Sequence, residues 1–326
     1  MKKLIITLTF SITIIQCAHT QNNSPAKSGN SSAKVLALKN LLASLSRKPG
    51  NTLFNKSCSS ILSLLNRYNP LSANETDLLE KTYDSFINEQ VNGTPGKSES
   101  YLQRKRPFII SWVSPTDHVL SFSWLRLPKN WDPQKKYPLY VMLHGDWPVA
   151  ASPIEYLTYP LLFPLSAGDP SIAFEDGYLL NPWGRGNNWY HGIGETDIRE
   201  NINELEKLVK IDPKRKYLCG HSMGGYGAWN ISRSSPEIWA GVGLYSAALW
   251  HDGRIVSPGA EQLKMIPVYF ACGVNEGLKP INEEAYGLLN KAGNTRIKFV
   301  LFEHGHKYHN EDVEAMYQWL RKYKKE

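Results

Sequence analysis

The stretch "GHSMGG" at residues 220–225 places a serine with glycine two positions before it and two after it. Ser222 stands directly behind "KRKYLC", a run that ends as a buried strand, and ahead of "GGYGAWNISRSS", which can open a helix. In a strand–turn–helix setting this spacing makes a nucleophile elbow. Gly220 and Gly224 remove Cβ atoms from a turn tight enough to lift the hydroxyl above a sheet. A serine hydroxyl attacks poorly until a neighbouring base takes its proton, so the chain must also supply an imidazole and a group to orient it. The segment "FEHGHKYH" offers His306 as that base, with His304 and His309 as neighbours that could take its place. The segment "PVYFACGVNEG" offers Glu276 as the acid, with Asp252 behind "YSAALWH" as its rival. A tetrahedral oxyanion further needs amide donors. The Met223 N–H, directly after the nucleophile, is one; Asp146 or Trp147 supplies the other, where Gly145 lets the backbone approach. His144 reads as a brace for that loop. Acyl transfer of this design needs no metal and no organic cofactor, and no CxxC or HxxxH spacing points to one.

The elements that must carry these residues follow from hydrophobic periodicity. Beyond residue 100, strand-like runs alternate with helical ones. "YPLYVMLHG", "GYLLNPWG", "RKYLCG", "WAGVGLYSAA", "PVYFACG" and "RIKFVLFEH" are nearly continuous apolar strands of the kind buried on both faces of a parallel sheet. "PFIISWV" and "VLSFSWLRL", separated by "SPTD", read as a hairpin. "ETDIRENINELEKLVK", "NEEAYGLLNKAG" and "NEDVEAMYQWLRKY" read as helices, the first and last with acids early and bases late. Strands alternating with helices predict a mostly parallel, doubly wound α/β sheet over 101–326. Residues 33–100 read as a helical extension and linker. "KVLALKNLLASLS" and "CSSILSLLNRY" carry helical spacing, and Ser72 with Glu75 forms a capping box.

These residues and elements carry a family resemblance over nearly all of 110–322. "LPKNWDPQKKYPLYVMLHG" resembles the segment leading to the oxyanion loop in secreted feruloyl and acetylxylan esterases and in prolyl-oligopeptidase-like hydrolases. "GETDIRENINELEKLVKIDPKRKYLCGHSMGGYGAWNISRSSPEIWAGVGLYSAA" is similar to their longest shared block. The resemblance implies the α/β-hydrolase fold, serine-esterase activity, Ser222 as nucleophile and His306 as base. Where that family shows aspartate in a G-x-x-D segment this chain has "GVNE", so Glu276 is a departure, one methylene longer.

Residues 146–195 form a long excursion between the oxyanion strand and the elbow. It supplies Trp147, Tyr156, Tyr159, Phe163, Trp183, Trp189 and Tyr190. Such aromatics suit a sugar face or a hydroxycinnamoyl ring, and equally suit packing beneath a loop. Of these, Trp147, Trp183, Trp189 and Tyr190 are the expected substrate contacts. Arg185, between two glycines, could meet a substrate carboxylate or anchor the loop to Asp197.

Composition bounds the alternatives. In 326 residues, 42% apolar and 21% charged, there is room for one large domain and an appendage. The net charge of +7 falls to about +5 without Lys2 and Lys3, and no basic stripe with interleaved aromatics marks a nucleic-acid groove. The start "MKKLIITLTFSITIIQC" reads as a signal peptide over 1–16, with Cys17 as a lipidation site despite Gln16 where a small residue is usual. A polar tether then runs over 17–32. The expected place is therefore the periplasm or outer membrane, with lipid as the sole membrane contact, or otherwise, with ordinary cleavage a few residues later, secretion. Cys58, Cys219 and Cys272 make no disulfide framework. Two further functions stand beside the ester hydrolase: a peptidase of prolyl-oligopeptidase type, and a catalytically silent carbohydrate-binding lipoprotein.

Overall fold

Each central strand alternates its side chains between two separate apolar layers. On β3 (Tyr137–Leu143), Leu139, Val141 and Leu143 enter one core and Tyr140 the other. On β5 (Ile211–His221), Leu218 enters the first, Tyr217 and Cys219 the second. The period of two along a strand requires helices on both faces if neither set is to meet water. The computed structural model, which describes residues 32–47, 52–92, 107–162, 174–251, 254–255, 259–307 and 309–326, supplies them.

Among the described residues the main sheet has eight strands in the order β1-β2-β4-β3-β5-β6-β9-β10. To β3 and β5 it adds β1 (Phe108–Val113), β2 (Leu120–Arg126), β4 (Tyr178–Pro182), β6 (Gly241–Tyr245), β9 (Val268–Gly273) and β10 (Ile297–Phe302). β1 pairs antiparallel with β2, and β2 with β4; all pairs from β4 through β10 are parallel. The small β7 (Trp250–His251) and β8 (Arg254–Ile255) form a separate ribbon. The sheet is that of an α/β-hydrolase fold, and its parallel strands all end at one edge, where their following loops gather.

Among the described residues, three helices precede the sheet: α1 (Ala33–Ser46), α2 (Thr52–Arg67) and α3 (Ala73–Asn92). Residues 31–326 form one compact unit. Ser57 and Ser60 of α2 accept hydrogen bonds from the Ile109 and Ser111 amides (2.8 and 3.0 Å), which satisfies the outward donors of edge strand β1. The capping box forms reciprocally, Glu75 N–H to Ser72 Oγ (3.2 Å) and Ser72 N–H to Glu75 Oε2 (2.8 Å). Glu75 Oε1 also accepts from Ser152 (2.7 Å).

Within the excursion lies a helix that periodicity does not single out, α4 (Pro153–Leu162). Ser152 caps it, accepting from the Glu155 amide (3.1 Å), with Pro153 at the first helical position. Beyond the site-bearing strands come α5 (Ile193–Glu206), α6 (Met223–Ser234), α7 (Lys279–Lys291) and α8 (Asn310–Leu320). Apolar residues of α5, α6 and α7 fill the first core. Val313, Met316, Tyr317 and Leu320 of α8 fill the second against Tyr140, Tyr217, Tyr245 and Tyr269. Cys58, Cys219 and Cys272 are buried free thiols. Cys17 and the signal segment, Asp252 and Phe163 lie outside the described residues.

Candidate active site

Ser222 joins β5 to α6 at φ 54° and ψ −116°, a backbone region that side chains other than glycine rarely occupy. Three backbone bonds hold it there. Its N–H donates to Tyr245 O (3.0 Å), and its carbonyl accepts from Tyr226 (3.1 Å) and Ala248 (2.9 Å). The flanking glycines are obligatory, since a Cβ at Gly220 would strike the Gly224 carbonyl and one at Gly224 the Leu143 carbonyl. An N-cap serine ordinarily turns its hydroxyl onto the helix amides. Ser222 occupies the N-cap of α6 without doing so, and its Oγ makes no hydrogen bond among the described residues. The strained turn thus withholds the hydroxyl from structural use.

His306 lies on the loop after β10, its side chain 40% exposed. Its ring stacks on His221, the residue before the nucleophile, at 4.7 Å between centroids and 30° between planes. Its Nδ1 is 3.7 Å from Glu276 Oε1, an ion-pair distance that a bound substrate can tighten. Nε2 is then the nitrogen left for the serine. His221 itself is half-buried; desolvation of its ring, with the neighbouring His306, pushes its pKa down to about 3 and keeps it neutral. His304 is turned elsewhere, with Nε2 2.5 Å from Asp312 Oδ2 on α8 and Nδ1 2.9 Å from Gly305 O. His309 stacks on His304 at 3.7 Å. Tyr245 shares its one hydroxyl proton between the same Asp312 oxygen (2.7 Å) and Lys307 O (3.0 Å), so His304, Asp312 and Tyr245 pin the loop that carries His306.

Glu276 follows β9, with its side chain only 2% exposed. Burial alone would raise its pKa. The nearby His306 ring and the bonds from Cys272, Ser246 and the Gly273 amide outweigh that and hold it at about 2. Ser246 Oγ donates to Oε2 (2.7 Å), Cys272 Sγ to Oε1 (3.0 Å) and Gly273 N–H to Oε2 (3.2 Å). The carboxylate is therefore ionised and immobile at neutral pH. Ser246 and Cys272 are not singled out by the spacing of sequence motifs. Their one signal is position, at the carboxyl ends of strands where α/β sites collect.

A methyl group built on Gly145 would lie 3.4 Å from Ser222 Cβ, so the loop after β3 borders the nucleophile. The Trp147 N–H is engaged, donating to Asn187 Oδ1 (3.3 Å). Of the two alternatives for the second oxyanion donor, the Trp147 amide is thus already engaged, while that of Asp146 is not. His144 braces this loop, its Nε2 3.0 Å from Trp183 O.

Two expected substrate contacts need correction, and the open choice for Arg185 is decided. Trp183 is 8% exposed, stacks on Phe122 and bonds Ala150 O (2.9 Å). Tyr190 is 1% exposed and donates to His144 O (3.1 Å). Both fill the core, because the excursion folds back onto the sheet. Arg185 is the anchor, its Nε 2.8 Å from buried Asp197 and its Nη2 3.0 Å from Asp117. Trp147 and Trp189 are half-buried. Trp147 meets Tyr159 edge-on at 4.6 Å, and Tyr159 is 40% exposed.

The family model described as "Putative esterase" matches residues 195–325, a span that includes Ser222, Glu276 and His306. Among solved structures, a ferulic acid esterase is similar at 19% identity and TM-score 0.51, over 67% of this chain and 98% of its own. A ferulic acid esterase from Anaeromyces mucronatus, solved in complex with ferulic acid, is similar at 15% identity and TM-score 0.52, over 67% of this chain and 90% of its own. A thermostable esterase matches at 21% identity and TM-score 0.49; this chain, over 68% of its residues, spans 64% of that protein's length. No curated protein gives a significant match.

Proposed function

We propose that this carboxylic-ester hydrolase of the α/β-hydrolase fold works through an acyl-enzyme on Ser222 and takes esters carried by plant polysaccharides or their fragments. One observation carries the mechanism: a strained N-cap serine whose hydroxyl caps nothing, next in sequence to His221, on which an imidazole that faces an ionised buried carboxylate is stacked at 4.7 Å. His306 Nε2 takes the proton as Ser222 Oγ bonds to the ester carbonyl carbon. The carbonyl π pair moves to oxygen, where the Met223 and Asp146 amides hold the charge. Collapse breaks the bond to the alkoxy oxygen, which leaves as alcohol with the proton from His306. Water, deprotonated by the same imidazole, then attacks the acyl group and releases the acid and Ser222. Glu276 stays ionised throughout and steadies the imidazolium.

The substrate reading is supported by the half-buried Trp147 against exposed Tyr159 beside the oxyanion loop, a face suited to an aromatic acyl group or a sugar ring. The ferulic acid esterases of the same fold point the same way. The N-terminal pattern ending at Cys17 supports an exported, lipid-anchored protein. A substrate panel tests this: feruloylated arabino-oligosaccharides, acetylated xylo-oligosaccharides, simple aryl acetates and proline-containing peptide amides. The expected result is the highest kcat/KM on a feruloyl or acetyl sugar ester and no amide cleavage. Amide cleavage matching or exceeding ester cleavage would place the peptidase reading ahead.

A further inference from the structure

We infer that Asn187 is a positioning residue for the oxyanion hole, setting the direction of the Asp146 amide through the backbone of Trp147. Asn187 pairs with that backbone at both polar groups, accepting the Trp147 N–H at Oδ1 (3.3 Å) and donating Nδ2 to the Trp147 carbonyl (2.9 Å). A side-chain amide used this way acts as a neighbouring strand would. It fixes the peptide plane between Asp146 and Trp147, and so the rotation of Asp146 on its carboxyl side. On the amino side, the Gly145 carbonyl lies 2.8 Å from His144 Nδ1. Asp146 thus lies between a peptide that Asn187 holds and one whose carbonyl the His144 ring approaches, and its own N–H has no partner among the described residues.

The stretch that presents Asn187 is held in an unfavourable conformation. Arg185, Trp189 and Tyr190 have φ of 64°, 61° and 56°, in the region that disfavours side chains. Such strain persists only where the surroundings over-determine it. Here the surroundings are the Arg185 pairs to Asp197 and Asp117, the Trp183 bond to Ala150 and the Tyr190 bond to His144. The last two bonds tie residues 183–190 to 144–150, and the Arg185 pairs anchor the strap to Asp117 and Asp197. A strained strap that sets the Asn187 amide on the oxyanion loop, with Asn188 turned to the Tyr190 amide, is what pre-organised donors require, since charge stabilisation depends on their aim before the reaction begins.

The inference rests on the serine-esterase reading, and its test separates the two. Turnover of p-nitrophenyl acetate and of the corresponding thionoester is measured for the protein, Asn187→Ala and Asn187→Asp. Sulfur accepts hydrogen bonds poorly, so the oxo-over-thiono preference reports on the oxyanion hole. Removing one donor outright costs about 10²–10³ in kcat. Loss of its aim is therefore expected to lower kcat about 10- to 100-fold in Asn187→Ala, with KM within about twofold and the oxo preference falling in parallel. Asn187→Asp, of the same size, places an oxygen against the Trp147 carbonyl and is expected to fall in the same direction, so it carries the test should alanine not fold. Either folded variant with unchanged kcat and oxo preference overturns the inference. A parent protein that turns over neither ester overturns it together with the esterase reading.

Discussion

Ser222→Ala lowers kcat on any ester the protein cleaves by about 10⁶-fold, with KM changed little. The size of the loss follows from what the site retains. The Met223 and Asp146 amides, the imidazole and the acyl-binding surface all remain, yet no atom is left to form the acyl-enzyme, so turnover falls back on water. The substitution leaves the fold intact, because Ser222 Oγ makes no hydrogen bond among the described residues and caps no helix amide. Alanine inherits the strain at φ 54°, held by the same three backbone bonds. Full activity in Ser222→Ala would mean that another residue is the nucleophile.

The second large effect belongs to the pair behind the serine. His306→Ala and Glu276→Gln each lower kcat by about 10⁴-fold or more, and the double variant is little worse than His306→Ala alone. Glu276 acts only through the ring it orients, so without the ring it has nothing left to lose. His304→Ala costs far less, since His304 steadies the loop from Asp312 without facing the elbow. The sign of the pH effect follows from Glu276. Its carboxyl is held at about 2 in the fold against an ordinary 4.5. Its contribution to stability is complete above pH 4.5 and drains away as pH falls toward 2. Thermal unfolding followed across that interval should show a shallower pH slope in Glu276→Gln than in the parent. It should also show no activity limb from Glu276 near neutrality.

Particular residues explain why some of this was readable from the sequence and some was not. The parallel sheet was readable because a strand buried on both faces must be apolar at nearly every position, as "YVML" and "VYFACG" are. The elbow was readable because a turn that excludes Cβ atoms permits only glycine at 220 and 224, and that requirement is local. Even α4 left a local mark, Ser152-Pro153 followed by Glu155, within a segment otherwise dominated by aromatics and prolines. What separates Trp183 and Tyr190 from Trp147 is not local. An aromatic in a long connection has the same periodicity whether it lines a cleft or fills a core, and only the return of 183–190 onto 144–150 decides. Ser246 reaches Glu276 across 30 residues, and Asn187 reaches Trp147 across 40. Such pairings exist only once the strand order exists, so no window of the sequence contains them.

The account stands on the hydroxyl at residue 222 being the group that attacks. Treating the purified protein with a fluorophosphonate and mapping the adduct by mass spectrometry reads this directly, because the reagent phosphonylates only a serine activated by its neighbours. One phosphonyl group per chain, on the peptide that contains Ser222 and absent from Ser222→Ala, is the predicted result. An esterase-active preparation that takes up no label, or carries it on a different residue, would contradict the account.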